Sequence, residues 1–286
     1  MSKLFPGEGD STLLLSETKA LLRRFGLKAR KGLGQHFLID SKVLETIVLA
    51  AELTTDDTVI EVGPGLGILT EELLRRARRV ISVELDEKLA SILQRRLSSF
   101  DNLKVISGDI LKLDPSSLVE GATYKVVANL PYYITSPVLR HFLEASKKPS
   151  LMVVMVQREV AEAIAATPGK MSLLSISVQF YARPQIVSLV PPESFYPRPE
   201  VDSAILKIEL YPKPLFEVTS VDSFFELVRA GFTSPRKQIA NSLAKGLKLP
   251  KEEILALLEK AGISPKRRAE SLSLEEWRRL FEEIRC

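Results

Sequence analysis

From Thr58 onward, short β-branched runs alternate with amphipathic segments, and the first run ends in Glu61-Val62-Gly63-Pro64-Gly65-Leu66-Gly67. This alternation constrains the fold most, because parallel strands need crossover connections that helices supply. Strands are predicted over 58–62, 79–84, 103–106, 125–128 and 150–156. Helices follow the first two, one to about Arg76 and one over 86–97. Another starts at Ser136 and Pro137, which suit the N-cap and first helical positions. The run 150–156 is nearly all apolar, as a strand buried on both faces should be. Two more strands, 185–190 and 201–210, are joined by the proline-rich stretch Pro191 to Pro199 without a helix, which predicts an antiparallel edge. The fold class is α/β.

Upstream, the periodicity predicts a helix over 16–25 and another starting with Asp40 or Ser41 as N-cap. Downstream of Tyr211-Pro212-Lys213-Pro214 only helical patterns remain: 221–232, 236–245, 251–260 and a last helix from Ser273, where Ser273 and Glu276 form a capping-box pair. The boundary is therefore placed between 214 and 215. Residues 1–214 form the main domain with its N-terminal arm, and residues 215–286 form a small helical domain.

Composition narrows the function class. Apolar residues at 45% and charged residues at 27% suit a soluble globular chain rather than a disordered one. The single cysteine, Cys286, cannot form an internal disulfide, no Cys/His cluster suggests zinc, and no metal site is expected. No apolar run approaches the ~20 residues that span a bilayer, so no membrane association and a cytoplasmic location are expected. The formal net charge of +4 is permissive for a phosphate-rich partner without being diagnostic.

The glycine-rich turn lets backbone approach a ligand at a helix N-terminus. The dinucleotide fingerprint G-x-G-x-x-G is not met, because Ile68 stands where its last glycine would be. The pattern E-x-G-x-G-x-G, carrying Gly63, Gly65 and Gly67, instead resembles motif I of class I methyltransferases. The second strand ends in Val83-Glu84-Leu85-Asp86, where a carboxylate can accept ribose hydroxyls. Asp86 fits a helix cap better, which leaves Glu84 for the ribose. Asp109, after the third strand, is placed to accept an adenine amino group of a cofactor.

The fourth strand runs into Asn129-Leu130-Pro131-Tyr132. An amine on an aromatic ring is a poor nucleophile because its lone pair is delocalised. Acceptors at its hydrogens, here the Asn129 side-chain oxygen and the Leu130 carbonyl, favour a pyramidal nitrogen. Pro131 stiffens the turn, and Tyr132 offers a stacking face worth ~1–3 kcal/mol. Motifs of this D/N-P-P-Y type mark amino-methyltransferases of adenine or cytosine.

With these residues, the chain resembles the KsgA/RsmA family of ribosomal RNA adenine dimethyltransferases, relatives of the Erm enzymes. The likeness begins at Gly34-Gln35-His36-Phe37-Leu38. It continues through Ser194-Phe195-Tyr196-Pro197-Arg198-Pro199-Glu200-Val201-Asp202-Ser203 to Arg268-Ala269-Glu270-Ser271-Leu272. The resemblance implies a Rossmann-like class I methyltransferase fold, a mostly parallel seven-stranded sheet with helices on both faces, plus a small C-terminal all-helical domain. It implies S-adenosyl-L-methionine as cofactor, contacted by His36, Leu38, Gly63, Gly65, Gly67, Glu84, Asp109 and Asn129. It implies a target amine held by Asn129 to Tyr132, with Phe195 stacking from the other side. The expected reaction is N6,N6-dimethylation of two adjacent adenosines near the 3′ end of small-subunit rRNA. The expected partner is that rRNA in an immature ribosomal subunit, and the enzyme is expected to be a monomer. Two alternatives stay open on the residues: an Erm-like enzyme of large-subunit rRNA, and a non-catalytic ribosome-assembly factor. The clusters Lys28–Lys31, Arg236-Lys237 and Lys266-Arg267-Arg268 fit either solvated faces or phosphate contacts. His141, mid-helix, reads as structural.

Overall fold

The computed structural model describes residues 10–27, 35–119 and 123–285. The basic stretch Lys28–Lys31, Gly34 and Cys286 lie outside the described residues. The elements, in chain order, begin with α1 (Asp10–Arg24), β1 (Phe37–Leu38), α2 (Ser41–Ala50), β2 (Thr58–Val62), α3 (Ile68–Leu74), β3 (Arg79–Glu84) and α4 (Glu87–Arg96). They continue with β4 (Leu103–Ser107), α5 (Pro115–Leu118), β5 (Lys125–Asn129), α6 (Thr135–Leu143), β6 (Leu151–Gln157), α7 (Arg158–Ile164) and α8 (Leu173–Tyr181). The last are β7 (Ala182–Val190), β8 (Phe195–Tyr196), β9 (Ser203–Leu210), α9 (Val221–Gly231), α10 (Ile239–Leu247), α11 (Lys251–Lys260) and α12 (Leu274–Arg285).

The main sheet has seven strands in the order β4-β3-β2-β5-β6-β9-β7. Strands β2 to β6 pair in parallel, and β9 pairs antiparallel with β6, Ser203 opposite Gln157. Sequence order reverses beside β2, the topological position where open parallel sheets leave a crevice at their carboxyl ends. β6 is buried from Leu151 to Val156, as its unbroken apolar run predicts. Ile47 and Val48 of α2 and Leu73 of α3 pack into one core with Val59, Val127, Val153 and Met155. Asp40 caps α2, accepting from the amides of Lys42 and Val43 at 3.0 and 3.3 Å.

Local geometry departs from expectation at α6. A 3-10 turn over Tyr132–Ile134 runs directly into the helix, so Ile134 occupies the cap position without a side-chain bond. Ser136 and Pro137 consequently lie inside the first turn, where a missing N–H leaves no intrahelical bond unmade. A two-stranded pairing not foreseen in the sequence, Phe37 opposite Tyr196 and Leu38 opposite Phe195, ties the N-terminal segment to the proline-rich stretch.

The chain separates into two compact units. One holds the described residues up to Ala161 together with Gln185–Leu210, and the other holds Glu162–Pro184 together with the residues from Tyr211. The expected single cut at 214/215 thus misses a contribution from α8. The reason is aromatic: Phe180 is fully buried against Phe216, Phe224 and Phe225, with ring centroids 5.2, 5.2 and 5.4 Å away. α12 is capped as predicted, the Ser273 amide donating to Glu276 at 2.8 Å and the Glu276 amide to Ser273 at 3.2 Å.

Within this helical unit, α9 and α10 approach through Gly246. A Cβ built there would lie 2.5 Å from Ala230 Cα. Alanine ordinarily stabilises a helix interior by ~1 kcal/mol over glycine. At Gly246 overpacking against backbone outweighs that gain, and Gly246→Ala is expected to cost about 2 kcal/mol net, read as a lower denaturant midpoint. An unchanged midpoint would show that the two helices separate freely.

Candidate active site

A cavity of about 210 Å³ opens at the carboxyl ends of β2 to β5, lined by residues from the turns that follow each strand and by Gln35 to Leu38. The parallel pairing brings these turns together, since each strand delivers its last residue to the same edge of the sheet.

The glycine turn after β2 holds Gly63, Gly65 and Gly67 at φ 67°, 58° and 84°. A Cβ on Gly65 would come within 3.2 Å of the Phe37 ring, so this close approach also requires glycine. Gly67 does not line the cavity, and a side chain there would overlap Leu93. Its requirement is packing, not ligand contact. Arg96 pins the turn from outside, donating to the carbonyls of Leu66 and Gly67 at 3.0 and 3.1 Å.

Glu84 ends β3 inside the cavity and is 7% exposed. Its Oε2 accepts the Gly65 amide at 3.1 Å and its Oε1 the Asp86 amide at 3.0 Å, so the carboxylate is fixed with lone pairs to spare. Burial raises its pKa, the two backbone amides opposing. Asp86 caps α4, accepting from Lys88 and Leu89 at 3.0 and 3.3 Å, as its position suggested. Asp109 also lines the cavity, one oxygen accepting the Leu111 amide at 3.0 Å.

Glu61 carries a role the sequence reading leaves unassigned. It is 1% exposed and lines the cavity floor. Ser82 donates to its Oε2 at 2.7 Å, while Oε1 has no hydrogen-bond partner among the described residues. Burial pushes its carboxyl up to about 7, the Thr70 and Ser82 hydroxyls opposing and the nearby Glu84 carboxylate reinforcing. A folded-state pKa raised above the ordinary carboxylate value means the native state binds more protons than the unfolded one between about 4.5 and 7. Stability therefore falls as pH rises through that window. Glu61→Gln removes the ionisation, and its stability relative to the parent should rise by about 3 kcal/mol from pH 4.5 to pH 8. Parallel stability curves for the two proteins would refute this.

On the acceptor side, Asn129, Leu130, Pro131 and Tyr132 all line the cavity. The Leu130 amide donates to the Met155 carbonyl at 3.1 Å, locking the turn to β6. Asn129 Nδ2 donates to the His36 carbonyl at 3.0 Å. That bond identifies the amide nitrogen and leaves Oδ1 as the acceptor. The His36 and Tyr132 rings are stacked, 5.9 Å apart and 19° from parallel. His36 Nδ1 lies 2.7 Å from the Pro197 carbonyl, which can only accept, so Nδ1 carries the proton. The Tyr132 hydroxyl lies 2.7 Å from Ser203 Oγ. His36 thus touches both halves of the site, beyond the cofactor contact its motif implies. Leu38 lines the cavity too.

Phe195 departs from expectation. It is 2% exposed, sits in the main core with Leu38 and does not line the cavity. The β1–β8 pairing turns its ring inward, and the structure does not present it as a stacking face. Tyr133, 56% exposed at the cavity, is the aromatic the sequence reading passes over. His141 is tied to the protein frame, its Nε2 donating to the Leu113 carbonyl at 2.9 Å. Of the basic clusters, Arg267 is committed internally to Glu276 and Ser271. The described helices include none long and apolar enough to cross a membrane.

The ribosomal RNA adenine dimethylase family matches residues 26–285. A ribosomal RNA small subunit methyltransferase A of Dehalococcoides mccartyi is 54% identical over 93% of this chain and 92% of its own length. The protein of that name from Moorella thermoacetica is 45% identical over 94% and 96%. Among solved structures, a dimethyladenosine transferase from Plasmodium falciparum superposes with a TM-score of 0.75 at 27% identity, covering 87% of this chain and 98% of that one. The 23S rRNA methyltransferase ErmE superposes with a TM-score of 0.71 at 33% identity, covering 87% and 100%. The higher identities lie with the small-subunit enzymes, and the Erm-like alternative is not favoured. The chain belongs to the ribosomal RNA adenine dimethylase family and is an S-adenosylmethionine-dependent methyltransferase that dimethylates adenine in small-subunit ribosomal RNA.

Proposed function

We propose that the cavity between the strand ends is a two-substrate site, with Glu84 and Asp109 on the cofactor side and Asn129 to Tyr132 on the adenine side. The observation that carries this reading is the convergence of these three segments and the glycine turn after β2 on one cavity of about 210 Å³. The residues suit S-adenosylmethionine. Glu84 is a buried, pre-oriented carboxylate for two vicinal hydroxyls. Gly63 and Gly65 keep backbone bare where the chain passes close, and Asp109 can accept an amino group. When bound, the cofactor supplies an electrophilic methyl on sulfur.

The protein's own work is on the amine. Asn129 Oδ1 and the Leu130 carbonyl accept its two hydrogens and direct the nitrogen lone pair. Tyr132 holds the flipped base by stacking, and Pro131 limits the motion of the turn. No strong base is needed, because a methylated cationic amine on an aromatic ring is acidic and loses its proton readily. Rate enhancement comes chiefly from holding the reacting groups in line. Water is kept from the site by the apolar wall of Phe37, Leu66 and Leu89.

The finer reading is N6,N6-dimethylation of two adjacent adenosines near the 3′ end, in an immature small subunit, by a cytoplasmic monomer. Incubation with the cofactor and immature small subunits, followed by nucleoside mass spectrometry, should find two dimethyladenosines per particle. Dimethyladenosine at separated positions, or a single one per particle, would overturn the finer reading.

A further inference from the structure

The antiparallel strand β9 begins where the parallel strands end. Its first residue, Ser203, pairs with Gln157 at the carboxyl end of β6, on the sheet edge that carries the site. A parallel strand in that place would bring its last residue there instead. Ser203 is completely buried, yet it carries a hydroxyl, and that hydroxyl lies 2.7 Å from the Tyr132 phenol oxygen. The residue before it is held: the Asp202 carbonyl accepts the Arg158 amide at 3.0 Å, and the Asp202 carboxylate lies 3.5 Å from the Arg158 guanidinium. Ser203 is thus a fixed post, whereas Tyr132 sits in a short 3-10 turn that depends on outside contacts.

We propose that Ser203 is a positioning residue for methyl transfer, holding the Tyr132 side chain in place against His36 so that the stacking face for the target base is set before the RNA arrives. The assignment rests on Tyr132 being that stacking face. Two contacts fix where the ring sits and how it faces. The His36 ring supports it from one side, and His36 is itself anchored to the Pro197 carbonyl. The hydroxyl bond at the far end of Tyr132 stops the side chain from swinging about its Cα–Cβ bond, while the His36 ring against its face limits rotation of the ring about its own axis. Without Ser203 the phenol would be left half-buried and unpaired, and other side-chain orientations would compete. The cofactor shell does not depend on this bond, since Glu84 and Asp109 are held by backbone amides of the turns after β2, β3 and β4.

The test is a double-mutant cycle on Tyr132→Phe and Ser203→Ala, with Tyr132→Ala as reference. Tyr132→Phe breaks the bond without touching the buried serine, so the cycle stays informative if Ser203→Ala folds poorly. Each single substitution should lower kcat on small-subunit rRNA about tenfold, the scale of one hydrogen bond. S-adenosylmethionine affinity should stay unchanged. The double variant should be no slower than either single one, because both remove the same bond. Tyr132→Ala should be slower than all three. Additive losses, or kcat at the parental level in both single variants while Tyr132→Ala is inactive, would overturn the positioning role and leave the stacking assignment standing. Parental turnover in Tyr132→Ala would overturn the stacking assignment and the proposal together.

Discussion

Asn129→Ala should lower methyl transfer by about 10²–10³-fold while the thermal midpoint changes little. The magnitude follows from losing a preorganised polar group at the reacting centre, where a single such group is commonly worth that factor. The substitution removes the acceptor for one amine hydrogen, so the lone pair stays conjugated with the ring for a larger share of the time. The fold should tolerate it, because Asn129 ends its strand at the cavity and its only described side-chain bond is to the His36 carbonyl. Single-turnover rates measured at saturating RNA and cofactor read the effect directly. Turnover within threefold of the parent would mean the amine is held by other groups.

Glu84→Ala should weaken S-adenosylmethionine binding at least about 100-fold, by removing two charge-assisted hydrogen bonds in a buried setting. The loss has a second origin within the protein. The Gly65 and Asp86 amides both donate to this carboxylate, so its removal takes one cross-strand tie from the glycine turn and leaves it the Gly63 amide on the Val83 carbonyl. Glu84→Gln separates the two contributions. It keeps an acceptor for one amide but loses the charge, and should fall between the parent and alanine in affinity. Titration calorimetry distinguishes these outcomes, and equal affinity in parent and alanine variant would remove Glu84 from the cofactor site.

The parallel core was legible in the sequence because its cues are local. The run Thr58–Val62, the run Arg79–Glu84 and the helix over Lys251–Lys260 are each bounded by residues that start or stop an element, and the structure returns them unchanged. The same holds for Glu84 against Asp86, where strand end and helix cap separate the two acids. Less legible were the features that depend on partners far along the chain. Phe195 lies among prolines and reads as a presented aromatic, but its pairing with Leu38 faces it into the core. Ser203 and Glu61 have no signature of their own. Their importance comes from Tyr132 and Ser82, contributed by other segments of the chain. The helix α8, Leu173-Leu174-Ser175-Ile176-Ser177-Val178-Gln179-Phe180-Tyr181, is apolar enough to pass for a buried strand, and its capping pair Ser172 and Ser175 is a weaker cue than Ser273 and Glu276.

The divided helical unit has a consequence for how the protein is made. Phe180 belongs to a segment that leaves the synthesising ribosome well before the residues that cover it, Phe216, Phe224 and Phe225. Until those follow, the nascent chain carries a bare aromatic face. A chain cut at the apparent boundary near Pro214 keeps that face permanently uncovered, so such a fragment should aggregate on expression, whereas the intact chain closes over it as the last helices emerge.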